Sequence, residues 1–192
     1  MKKLTAILLL LASQFSYGQK SPKGYDCVDQ FTDGYAKVRK DGKCGFINNE
    51  NKLVVPLKYS DVLPFSEGRA AVMVNNKWGY IDTTGTEVIA PKFNEAYSFH
   101  DGLACVANSK FGFINKAGEF AIEAAFDQAN SFSEGLAAVS KKNGWGYINT
   151  DGKEIIPIKY SYADAFSEGH ARVMKDGKWL EIDKTGKTIK EE

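Results

Sequence analysis

The chain is poor in the residues from which most recognisable sites are built. Its 192 residues include only two His, three Cys and five Pro, and 25 basic side chains are balanced by 24 acidic ones. The cysteines, at 27, 44 and 105, are too sparse and irregular for a disulfide framework or for a metal site made of paired Cys. A Cys27–Cys44 bridge in an oxidising compartment, with Cys105 left over, is one reading, and three small half-buried side chains is the simpler one. Balanced charge argues against a nucleic-acid surface, which needs clustered excess Lys and Arg. No nucleophile elbow, zinc-protease helix motif or phosphate-cradling glycine loop occurs. The one sizeable apolar run, Leu4 to Ala12, falls short of the roughly 20 residues a membrane-spanning helix needs.

That run follows Lys2 and Lys3 and precedes the small residues Ser16 and Gly18, the layout of a secretory signal peptide over residues 1–18, with cleavage expected before Gln19. No Cys stands at the cleavage point, which argues against a lipid-anchored form. The mature chain is therefore expected outside the cytoplasm, periplasmic or extracellular, without a transmembrane segment. Losing Lys2 and Lys3 takes the basic residues from 25 to 23 against 24 acids, a net charge of minus one.

What the chain has in quantity is glycine and aromatic residues: 18 Gly and 12% aromatic, with 43% hydrophobic residues, fit a turn-rich all-β domain. These residues recur in register. Cys44-Gly45, Trp78-Gly79, Phe111-Gly112, Trp145-Gly146 and Trp179-Leu180 stand 34, 33, 34 and 34 residues apart. A second anchor keeps the same period: Phe31-Thr-Asp-Gly34, Phe65-Ser-Glu-Gly68, Phe99-His-Asp-Gly102, Phe132-Ser-Glu-Gly135 and Phe166-Ser-Glu-Gly169. A third aromatic, at Tyr25, Tyr59, Phe93, Phe126 and Tyr160, opens each copy. After a short segment 19–24, one repeat domain, 25–192, divides into units 25–58, 59–92, 93–125, 126–159 and 160–190. The pattern, close to KWGYIDxxGxxVIxPxFxxAxxFxEGLAxV, resembles the bacterial WG-repeat family over almost the whole mature chain. The resemblance implies a β-rich repeat array used as an interaction module, with no cofactor and no established catalysis.

Each unit reads as a three-stranded antiparallel meander with an irregular return. In the first strand Ala36, Ala70, Ala104, Ala137 and Ala171 are followed two residues later by Val38, Val72, Val106, Val139 and Val173, while the residue between varies, the alternation of a half-buried strand. Tight hairpin turns are expected at Asp41-Gly42, Asn75-Asn76, Asn108-Ser109, Asn143-Gly144 and Asp176-Gly177. The second strand carries the aromatic-Gly-aromatic run, including Trp78-Gly79-Tyr80, Trp145-Gly146-Tyr147 and Trp179. A positive-φ turn is expected at Asn51, Gly85, Gly118, Gly152 and Gly186. The third strand is stopped by Pro56, Pro91 or Pro157; the third copy lacks the Pro and is expected to be weakest. So small a sheet cannot bury its apolar face alone, so neighbouring units must supply the core, with the Trp rings as core residues. The aromatic two residues after the Trp position is Phe46, Tyr80, Phe113 or Tyr147 but becomes Glu181 in the last copy, as if that side chain normally packs on a following unit. The changed end units favour an open, solenoid-like stack; a closed five-bladed, propeller-like ring is the alternative.

Function is less legible. The recurring acids Asp33, Glu67, Asp101, Glu134 and Glu168 read either as a cation-attracting ladder or as acceptors for backbone N–H groups in their own turns, with the turn reading preferred. His100 and His170 read as exposed substitutions rather than catalytic or metal-binding groups. The outward strand positions differ most between copies, and Tyr35, Lys37, Arg39, Arg69, Met73, His170, Arg172 and Met174 form the candidate binding face. The reading is an exported, non-catalytic module binding a protein or an envelope component. A hydrolase acting on an envelope polymer is the rival.

Overall fold

The computed structural model describes residues 24–191, so the expected signal peptide and residues 19–23 lie outside the described residues. The described chain forms five four-stranded antiparallel sheets, one per repeat, each in simple meander order. The first contains β1 (Cys27–Val28), β2 (Tyr35–Lys40), β3 (Lys43–Asn48) and β4 (Leu53–Tyr59). The second contains β5 (Asp61–Val62), β6 (Arg69–Val74), β7 (Lys77–Asp82) and β8 (Glu87–Phe93). The third contains β9 (Glu95–His100), β10 (Leu103–Ala107), β11 (Phe111–Ile114) and β12 (Phe120–Phe126). The fourth contains β13 (Gln128–Ala129), β14 (Leu136–Lys141), β15 (Gly144–Asn149) and β16 (Glu154–Tyr160). The fifth contains β17 (Tyr162–Ala163), β18 (His170–Lys175), β19 (Lys178–Asp183) and β20 (Thr188–Glu191). The expected three-stranded meander is present in every unit. Part of each return adds a fourth strand, two residues long except for β9.

Turn chemistry fixes these strands. Asp41-Gly42, Asn75-Asn76 and Asp176-Gly177 have positive φ at both central residues, the type I′ geometry that matches strand twist. The fourth unit turns one residue earlier than expected, at Lys142-Asn143, because Gly144 already pairs with Lys141. In the third unit Ala107 pairs with Phe111 across a wider connection, and Asn108 and Ser109 are not left-handed. Asn51, Gly85, Gly118, Gly152 and Gly186 all take positive φ, as expected. The polar residue three positions before each one organises its turn. In the fourth unit, for example, Asn149 Oδ1 accepts the N–H groups of Asp151 (3.2 Å) and Lys153 (2.9 Å).

The glycine of the Trp-Gly pair has a packing cause. Trp145 pairs with Tyr160 but Tyr147 with Ile156, so the outer strand bulges across Gly146, where an added Cβ would lie 2.6 Å from the Ile156 carbonyl oxygen. In the last unit Leu180 occupies this position because β20 pairs with it directly, Leu180 opposite Glu191. The prolines do not stop the third strand, since β4, β8 and β16 run on through Pro56, Pro91 and Pro157; β12, which has none, is also seven residues long, with Ala124 passing over Gly112 as Pro91 passes over Gly79.

The cores lie between the sheets. Cys44, Phe46, Val55 and Tyr59 of the first unit pack with Val62, Phe65, Ala70, Val72 and Ile81 of the second, and the same composition recurs at each later junction. Each internal sheet therefore has one face buried against its predecessor and the other against its successor. This corrects the half-buried reading of the first long strand: Ala71, Cys105 and Ala138, in the variable slot, are 0%, 0% and 1% exposed. The aromatic two residues beyond the Trp position meets the following unit's Phe, with ring centroids 4.6 Å apart for Phe46 and Phe65, 5.1 Å for Tyr80 and Phe99, 4.8 Å for Phe113 and Phe132, and 4.8 Å for Tyr147 and Phe166. The Tyr80 and Tyr147 hydroxyls also donate to the carbonyls of Tyr97 and Asp164 in the next unit, at 2.8 and 2.7 Å. Trp78, Trp145 and Trp179 are only half-buried, at the rim of these cores, so they are not the central rings the repeat pattern suggested. Among the described residues the array is open: the units meet face to face rather than by strand pairing, and the main contacts between them join sequential neighbours, with none between the first sheet and the fifth.

These positions predict an order of cost. Tyr147→Ala should destabilise by about 3–5 kcal/mol, and Trp145→Ala by clearly less, in denaturant unfolding of the two variants. Equal losses would contradict the assignment of Tyr147 as the central ring.

Candidate functional site

Among the recurring acids Asp33, Glu67, Asp101, Glu134 and Glu168, the middle three are neither free nor confined to their own turns. Each sits in the left-handed region, with φ of 51 to 53°, followed by a glycine that is also at positive φ. In the second, third and fourth units the carboxylate reaches into the next unit. Glu67 accepts the Gly102 N–H at 3.2 Å, Asp101 the Gly135 N–H at 2.7 Å, and Glu134 the Gly169 N–H at 3.0 Å. The preceding serine does the same: Ser66 Oγ donates to the Phe99 carbonyl at 2.6 Å and Ser133 Oγ to that of Phe166 at 2.7 Å. Lysines of the following unit complete the arrangement, Lys116 on Glu67 at 3.2 Å and Lys184 on Glu134 at 3.0 Å. The expectation that acid and serine serve their own turn is thus corrected. One unit's turn stacks directly on the next, so the neighbour's amide is the nearer unsatisfied donor. The first junction is held differently, by Lys37 and Arg39 on Asp61 at 2.6 and 3.7 Å.

The candidate binding face is split by the stacking. Tyr35 packs on Phe65 with centroids 4.6 Å apart, and Lys37 and Arg39 are held by Asp61, so these three belong to the first junction. Arg69 turns back onto the Gly68 carbonyl at 3.2 Å, and half-buried Met73 pairs with Trp78. His170, Arg172 and Met174 do come together, on the face of the fifth sheet that no unit covers. There His170 Nδ1 lies 3.8 Å from Glu181 Oε1, and the Arg172 guanidinium stacks 4.7 Å from the Trp179 ring centre. Trp179 touches Tyr162 and Tyr162 touches Trp145, at 5.6 and 6.4 Å between centroids, and Tyr162 shares a 3.0 Å hydrogen bond with Asp164 Oδ1. A shallow slot of about 240 Å³, lined by Asp164, Ser167, His170, Arg172 and Glu181 among others, lies where an inner unit receives the next phenylalanine. Glu181 was legible as the changed end residue. Tyr162 and Asp164 were not, because they fall in the irregular return that the repeat pattern does not constrain.

The cysteines remain free. Cys27 and Cys44 both pair with Arg39, from opposite sides, so two strand spacings, about 9–10 Å, separate them. That exceeds the span of a disulfide. Cys44 and Cys105 are fully buried rather than half-buried, and burial pushes the Cys105 thiol up to about 12. No group of His, Cys, Asp and Glu suited to a metal ion occurs among the described residues.

Stacked four-stranded meanders in sequential contact define a β-propeller-like repeat architecture. In keeping with this, the chain is similar to the Kluyveromyces lactis Hsv2p structure, with TM-score 0.58 and 12% identity over 83% of this chain and 62% of that one. It is also similar to a eukaryotic initiation factor structure, with TM-score 0.57 and 12% identity over 81% and 50% of the two chains. It therefore spans about three fifths of the length of the first and half of the second. The WG-containing repeat pattern matches at residues 21–44, 45–78, 78–108, 111–145 and 145–179, and the chain belongs to that family. No curated protein matches it.

Two measurements check the roles given to these groups. Burial tends to raise the Glu67 carboxyl, but the Gly102 N–H and Lys116 outweigh it and lower its pKa; the Lys184 hydrogen bond is the main cause lowering that of Glu134. A lowered folded pKa gives stability that is present above the ordinary carboxylate range and lost as pH falls through the folded value. Urea unfolding at a series of pH values should show this acid loss, and it should shrink in the E67Q/E134Q double variant. With a thiol reagent, native protein should react at Cys27 alone and unfolded protein at all three cysteines.

Proposed function

We propose that the chain is an exported, non-catalytic repeat module that binds a protein or another envelope component. The observation that carries this reading is the contrast between junctions and end. Inside the array, the repeated aromatic, serine and acidic groups hold one unit to the next. The fifth unit instead presents His170, Arg172 and Tyr162 around the repeat residues Met174 and Trp179 on an open sheet face. A fixed core with a distinct exposed face is how repeat scaffolds build recognition surfaces. Export rests on the charged start, the apolar run and the small residues at 16 and 18.

Two experiments test the reading. N-terminal sequencing of protein recovered from the producing cell's envelope or medium should begin at Gln19. Incubation with cell-wall and capsular glycans should release no product, whereas release would establish the rival hydrolase.

A further inference from the structure

The chain contains three Ser-Glu-Gly turns, at 66–68, 133–135 and 167–169. Two have a following unit, and both hold it by the same three bonds. The serine hydroxyl donates to the carbonyl of the incoming Phe, and the glutamate accepts the N–H of the incoming turn glycine and the ammonium of an incoming lysine. The third turn stands at the open end. Among the described residues neither the Ser167 hydroxyl nor the Glu168 carboxylate has a partner, although Glu168 keeps the same left-handed φ of 53°. The backbone-gripping half of the junction is thus present and unoccupied.

The ring-gripping half has been replaced. Where the inner units offer Ala71 and Tyr80, or Ala138 and Tyr147, to the incoming phenylalanine, the fifth unit offers Arg172 and Glu181. Arg172 is drawn onto Trp179, and Asp164 and Glu181 supply carboxylates to the slot, with His170 beside Glu181. A second copy of this chain is a poor occupant on two counts. Its leading turn would set Phe31 against Glu181, and it has Asn49 where Lys116 and Lys184 supply the cation. Resting on the binding-module reading, we propose that the open face of the fifth unit is a docking site for a lysine-bearing, glycine-containing β-turn of a different protein. Ser167 would donate to a turn carbonyl, Glu168 would accept the glycine N–H and the lysine, and the slot above Ala171 would take a polar side chain in place of phenylalanine.

The test uses the full chain, isotopically labelled, and a backbone-cyclised hairpin peptide with an Asn-Gly turn flanked by two lysines. Amide shifts should move at Gly169, His170 and Glu181. Glu168→Gln should weaken binding by about tenfold while leaving the melting temperature unchanged, since this side chain is exposed. A peptide with norleucine for lysine should lose a comparable factor. Several results would overturn the site: no shifts at millimolar peptide, equal binding by the Gln variant or the norleucine peptide, the same shifts produced by neutral oligosaccharides instead, or self-association in light scattering that Glu168→Gln abolishes. A silent peptide titration removes this site alone, whereas product release from glycans removes the wider binding reading.

Discussion

A phenylalanine laid against the preceding unit's central aromatic is the contact on which the rest of the array depends. A four-stranded sheet of about 30 residues cannot exclude water from its own faces. In the four junctions, at Phe65, Phe99, Phe132 and Phe166, the ring closes the gap between two such sheets and is at most 2% exposed. Because these contacts join consecutive units, stability is expected to accumulate as a sum over neighbours rather than around one central core. The bulge over the Trp-Gly glycine belongs to the same arrangement. It carries the outer strand across the aromatic strand, so that β-branched residues such as Val55 and Ile89 lie beneath the next unit's turn glycine.

Polar groups then set register. Apolar packing alone would tolerate sliding of one sheet over the next. A carboxylate that reaches one particular amide, and a serine that reaches one particular carbonyl, do not. This division explains why an acid is retained at a left-handed position, where a non-glycine residue is disfavoured. Its side chain satisfies a donor that the neighbouring turn leaves without an internal partner.

Much of this was readable from spacing. The period, the turn residues and the aromatic that changes to Glu181 in the last copy all follow from local chemistry that each unit repeats. Direction across the stack was not readable. A period-two strand looks half-buried whether its second face meets water or another sheet, so Ala71, Cys105 and Ala138 read as outward when they are enclosed. For the same reason the acids read as belonging to their own turns. Sequence places Glu67 beside Gly68, while stacking brings it to Gly102, 35 residues away. The return segments carry no strong pattern, which is why Tyr162 and Asp164 were missed.

The serine and acid bonds from one turn to the next span 33 to 35 residues, one full repeat each. A duplicated interior repeat that carries the Ser-Glu-Gly turn would thus bring with it both partners of the turn-to-turn serine and acid bonds. Such a step of one repeat would leave the fifth unit, with the facing pair Arg172 and Glu181 on its outer face, unchanged.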